Sequence, residues 1–65
     1  MMILLNGEAR ETLAQTVAAL LRELQMPSQG IAVAINGSVV HREEHVTTIL
    51  HEGAQIEIIR AVQGG

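Results

Sequence analysis

Sixty-five residues with seven Glu, four Arg and no Lys, Asp, Cys or aromatic residue specify one small domain with an aliphatic core. A formal charge of −3, with no basic patch or stacking Phe, Tyr or Trp, argues against nucleic-acid binding. The lack of Cys excludes a disulfide, a thiolate nucleophile and a side-chain persulfide.

The apolar share of 48% is too high for a disordered chain, and no apolar run is long enough to cross a bilayer. The opening residues carry neither the basic segment nor the cleavage site of a secretory signal. A cytoplasmic protein that meets no membrane and is a monomer on its own is expected.

Met2 to Leu5 reads as a strand, and Asn6-Gly7 supplies the positive φ angles of a tight hairpin turn. Glu8 to Leu13 is the expected return strand, its charges suiting a sheet edge. Leu13, Val17, Leu20, Leu21 and Leu24 then recur at helical spacing. Thr12 with Gln15 forms one capping pattern, but completing the hairpin favours a helix start at Thr16. Pro27 and Gly30 are the expected stop.

Ile31 to Ile35 alternates large and small residues as a strand with one packed face, and Asn36-Gly37 turns it into Ser38 to Val40. Residues 41 to 52 are polar and irregular, with one helical turn expected around Glu43 to Val46. Gly53 opens a last strand, Gln55 to Ala61. One amphipathic helix must cover one face of the sheet, and the last strand is best satisfied in the middle, parallel to the first.

The expected fold is therefore α+β: a β-grasp, ubiquitin-like, with a mixed sheet of four to five strands under one main helix. Residues 1–61 form the domain and 62–65 a flexible tail. Ile3, Leu5, Leu20, Leu21, Ile35, Ile56 and Ile58 are the expected core. Strict alternation puts Leu4, Ala32, Ala34, Ile59 and Ala61 on the uncovered face. There Leu4 and Ile59 are expected to lie together behind the tail and, with Ala61 and Val62, to form an apolar docking patch rimmed by Glu57 and Arg60.

His41 and His45 make half a metal site. His51 or Glu44 would have to complete it, and surface histidines in a polar loop are the commoner explanation. No metal site, bound cofactor or catalytic residue is expected, and a domain this small leaves little room for a ligand pocket. The Gly64-Gly65 pair differs. It should end roughly one chain in two hundred by chance, yet here it follows the last strand of a β-grasp.

Two residues without Cβ let a chain pass a narrow channel and approach a nucleotide closely. A carboxylate is a poor acyl donor until transfer of adenylate from ATP gives it a good leaving group. Sulfide, or a persulfide followed by reductive cleavage, then displaces AMP and leaves a thiocarboxylate.

With these features in view, the chain resembles the thiamine-biosynthesis sulfur carrier family, ThiS, over its whole length. The likeness lies in Met1-Met2-Ile3-Leu4-Leu5-Asn6-Gly7, in Thr16-Val17 with Leu20-Leu21, and in Ala34-Ile35-Asn36-Gly37. It continues through Val40-His41-Arg42 and from Gly53-Ala54-Gln55-Ile56-Glu57-Ile58 to Gly64-Gly65. Where the family often shows Asp-Gly-Asp, this chain has Glu52-Gly53-Ala54, a turn variant.

The resemblance implies a ubiquitin-activating-type adenylating enzyme, using ATP and magnesium to form the Gly65 acyl adenylate. It also implies a cysteine desulfurase or rhodanese-like sulfur donor, and a thiazole synthase that takes sulfur from the Gly65 thiocarboxylate. Gly64 would give access and Gly65 would be the modified residue. The small subunit of molybdopterin synthase, a sulfur carrier of another pathway and a ubiquitin-like modifier conjugated through Gly65 share the same tail logic.

Overall fold

Two Asn-Gly pairs set the architecture. Asn6 and Gly7 take φ of 51° and 85°, and Asn36 and Gly37 take 50° and 87°, the paired left-handed conformations that close two-residue hairpins. In the computed structural model, which describes residues 1–27 and 29–60, the first turn joins β1 (Met2–Leu5) to β2 (Glu8–Glu11). The second joins β3 (Ile31–Ile35) to β4 (Ser38–Val40). Helix α1 (Val17–Glu23) lies between the hairpins in sequence, and β5 (Gln55–Arg60) follows a single 3₁₀ turn at Arg42–Glu44.

The sheet order is β2-β1-β5-β3-β4. β5 runs parallel to β1 and antiparallel to β3, so the last strand is central, as its sequence predicts. β2 is an edge strand, four residues long, ending at Glu11 rather than Leu13. This is the β-grasp arrangement.

Helix α1 starts where all of its first amide donors find acceptors. The Val17, Ala18 and Ala19 N–H groups donate to Thr48 O at 3.1 Å, His45 O at 2.9 Å and Thr16 Oγ1 at 3.1 Å, which satisfies the orphan donors of a helix N-terminus. The helix ends before Pro27. Gln25, at φ 58°, donates its N–H to Arg22 O, and Met26 donates to Leu21 O. These two bonds close a Schellman motif with Gln where Gly is usual.

Ile3, Val17, Leu20, Leu21, Val33, Ile56 and Ile58 are buried between helix and sheet, joined by Ala14, Leu50 and Ala54. Leu5 and Ile35, expected in the core, are half-buried at its margin. Leu13 is 90% exposed and Ala14 is buried, so the helical periodicity begins after Leu13, in the loop that the Thr16 cap terminates. His45, read from sequence as a surface histidine, is 4% exposed. Its segment folds back onto the N-terminus of α1, carried there by the His45 carbonyl, and Leu50 is buried in the same return.

The buried Thr12 joins β2 to the end of α1. Its hydroxyl donates to Glu23 Oε1 at 2.8 Å and accepts from the Ala14 N–H at 3.0 Å. That hydroxyl, assisted by Arg10 at 3.3 Å, holds the Glu23 carboxyl below its usual range. A lowered folded pKa favours the native state above the ordinary carboxylate range, and this contribution is lost as pH falls through the folded value. Thr12→Val should move the Glu23 titration upward and flatten the stability loss on acidification. Carboxyl-carbon NMR titration of both proteins checks this; an unmoved Glu23 titration would contradict the assigned cause.

Candidate functional site

The uncovered sheet face carries those of the residues singled out from sequence that lie on β1, β3 and β5. Registers place Leu4 opposite Gln55, Ala34 opposite both Glu57 and Val39, and Ala32 opposite Ile59. Opposed residues share a face, so Leu4, Ala32, Ala34 and Ile59 all lie on the uncovered side, as alternation predicts. Leu4 and Ile59 are nevertheless not neighbours. Ile59 is four residues beyond Leu4's partner Gln55, about 13 Å along the strand. Beside Ile59, β1 has already turned away at Asn6-Gly7.

The expected Leu4–Ile59 patch is thus two separate features. Ile59, 63% exposed, adjoins Ala32, with Ala34 and the 65% exposed Val39 in the next row. Glu57 lies in that row beside Ala34, within the face as well as at its rim. Leu4 instead helps line a shallow open depression of about 380 Å³ with Gly7, Gly37, Gln55, Ile56 and Glu57. Other depressions, of about 530 and 320 Å³, flank α1 and the N-terminal loop. Ala61, Val62, Gly64 and Gly65, and the domain boundary at residue 61, lie outside the described residues.

Two residues read only as turn formers do more. The Asn36 N–H donates to Gln55 O at 2.7 Å and its Oδ1 accepts from the Gln55 N–H at 3.0 Å. The Asn6 N–H donates to Ile56 O at 2.8 Å, its Oδ1 accepts from the Ile58 N–H at 2.9 Å, and its Nδ2 donates to Ile58 O at 3.3 Å. Both asparagines therefore hold β5, one near its start and one near its end. Nothing in the sequence distinguishes this use from an ordinary Asn-Gly turn.

The model of the ThiS family matches residues 3–65. The chain belongs to the ThiS family. It is 39% identical over 66 residues to the sulfur carrier protein ThiS of Escherichia coli, with all of both chains covered. It is 33% identical to a thiazole synthase of Paramagnetospirillum magneticum, where the whole chain matches 20% of that protein's length.

The fold is similar to the crystal structure of the thiamine biosynthesis protein ThiS of Geobacter metallireducens. The TM-score is 0.85 at 26% identity, with both chains fully covered. Among the readings open from sequence, these likenesses favour the ThiS family and the β-grasp. The family match reaches through Gly64 and Gly65, five residues after Arg60 closes the central strand.

Proposed function

We propose that the chain is a sulfur carrier whose reacting group is the Gly65 carboxylate, a protein co-substrate of cytoplasmic partner enzymes. One observation carries this reading: Gly64-Gly65 follows the central strand within five residues, inside the span matched to the ThiS family. A partner adenylating enzyme supplies ATP and magnesium. The carboxylate attacks the α-phosphorus, pyrophosphate leaves, and the acyl adenylate forms.

Sulfide then displaces AMP, leaving a thiocarboxylate. If a persulfide from a cysteine desulfurase or rhodanese-like donor attacks instead, AMP leaves and an acyl disulfide forms; a reducing thiol then attacks the donor's sulfur, becoming a disulfide with it and releasing the thiocarboxylate. A thiazole synthase is the acceptor. That a protein named thiazole synthase contains a segment similar to this whole chain supports the pairing, since linking carrier and acceptor raises their effective concentration. The direct test is chain-dependent ATP–pyrophosphate exchange by a ubiquitin-activating-type enzyme. Exchange that is unchanged when the chain is omitted would sink the reading.

The partner's docking surface in this proposal is the apolar face formed by Ile59, Ala32, Ala34 and Val39, upstream of the tail on the strand that carries it. Exposed apolar clusters of this kind supply binding anchors. Ile59→Glu should weaken binding to the adenylating enzyme by about tenfold or more, equivalent to about 1.4 kcal/mol. The fold should be retained, because Ile59 is exposed. Leu4→Glu, remote from this row, should have the smaller effect. Titration of each variant against the enzyme checks the assignment; equal losses, or none, would contradict it.

A further inference from the structure

We infer that Asn6 is a positioning residue for the tail, its side-chain amide standing in for the missing β1 backbone where β5 runs on past the end of β1. This rests on the sulfur-carrier reading above. Along the β1 side, the even-numbered residues from Ala54 into β5 present their peptide groups: Leu4 N–H donates to Ala54 O at 2.9 Å and Asn6 N–H to Ile56 O at 2.8 Å. Beyond that point β1 has turned, since Asn6 is the first residue of the hairpin turn, and the β1 main chain no longer runs beside Ile58.

The Asn6 side chain fills the gap. A primary amide offers one acceptor and one donor in a plane, as a peptide does. Here Oδ1 takes the Ile58 N–H at 2.9 Å and Nδ2 donates to Ile58 O at 3.3 Å. The pairing of β5 is thereby extended past the end of β1. From Ile59 to Arg60 the strand is held through β3, opposite Ala32 and Ile31. Among the described residues, Ile58 is thus the last of β5 pinned from the β1 side, seven positions before Gly65.

The residue type follows from two demands met together. The turn requires φ of 51°, which Asn and Gly tolerate best, and the strand requires a side chain that both accepts and donates. Gly meets only the first demand. Asp meets the first and half of the second, with a carboxylate oxygen turned toward the Ile58 carbonyl. Asn meets both. A reacting carboxylate aimed at a nucleotide tolerates little misplacement, since a shift of about 1 Å can cost up to about a hundredfold in rate. Loss of the clamp leaves the β3 side and the Ile59 face in place while freeing the other side of the strand. Its effect should therefore fall on turnover more than on docking.

Asn36 supplies the control. It holds β5 by a similar amide contact, but at Gln55, at the start of the strand and away from the tail. Asn6→Gly and Asn36→Gly each keep the turn conformation and remove one amide. Both are compared with wild type at a temperature where all three are folded, by amide hydrogen exchange and by ATP–pyrophosphate exchange with the adenylating enzyme. Asn6→Gly should speed exchange at Ile58 by about tenfold or more while Ile56 keeps its protection. Its kcat should fall by about tenfold or more, with KM within about threefold of wild type.

Asn36→Gly should keep both the Ile58 protection and a kcat within about twofold of wild type. Equal kcat losses in the two variants, or wild-type kcat in Asn6→Gly, would overturn the positioning role. Wild-type protein that supports no exchange with ATP would overturn the carrier reading and the positioning role together. Faster Ile58 exchange with unimpaired turnover would overturn the positioning role alone.

Discussion

Ile56→Ala should leave most of the chain unfolded at room temperature. Ile56 is 1% exposed on the central strand and packs in the cluster that joins Leu20 and Val17 of the helix to Ile3 and Val33 of the flanking strands. Truncating a buried Ile costs about 2–5 kcal/mol, combining lost transfer free energy with the cavity left behind. A core of this size seldom supplies more than about 3–5 kcal/mol of net stability. The chain contains no Phe, Tyr or Trp whose packing could absorb the loss. Circular dichroism against temperature is the check, and a cooperative transition close to wild type would remove Ile56 from the core.

The other large effect is on chemistry alone. Gly65→Ala should lower adenylation and sulfur loading by about a hundredfold or more, because a methyl group beside the reacting carbonyl would both shield it and displace it in the narrow channel that the proposed chemistry requires. The melting temperature should stay at the wild-type value. A steep fall in melting temperature would show that Gly65 contributes to the fold and would undo the separation of carrier scaffold from reacting end. Undiminished loading would move the chemistry elsewhere in the chain.

What the sequence made legible was local. Asn6-Gly7 and Asn36-Gly37 each dictate a hairpin by their own backbone preferences, and Thr16 marks the helix start because its hydroxyl reaches Ala19. The central placement of β5 follows from needing partners on both sides for an apolar strand. The parts that were not legible depend on long-range register. The parallel pairing of β1 and β5 has no turn to fix it. Only the structure therefore shows that Leu4 meets Gln55, and that Ile59 belongs with Ala32 rather than with Leu4.

His45 and Leu50 lie in a stretch without periodicity, so their burial against α1 left no pattern to read. The same holds for Leu13 and Ala14, where the bulkier residue is outside because the chain is still loop. The Asn6 and Asn36 amides were hidden for another reason: the turn explains those residues so fully that a second use adds nothing to the sequence signal.

The central claim is that Gly65 carries sulfur, and intact-mass measurement tests it most directly. The chain is incubated with an adenylating enzyme, ATP, magnesium, a cysteine desulfurase and cysteine, and then weighed. The expected product is heavier by the exchange of one oxygen for one sulfur, with the change confined to the C-terminal fragment and absent when ATP is withheld. An unchanged mass under conditions that load the Escherichia coli relative, or adducts joined to other proteins in place of the sulfur product, would contradict it.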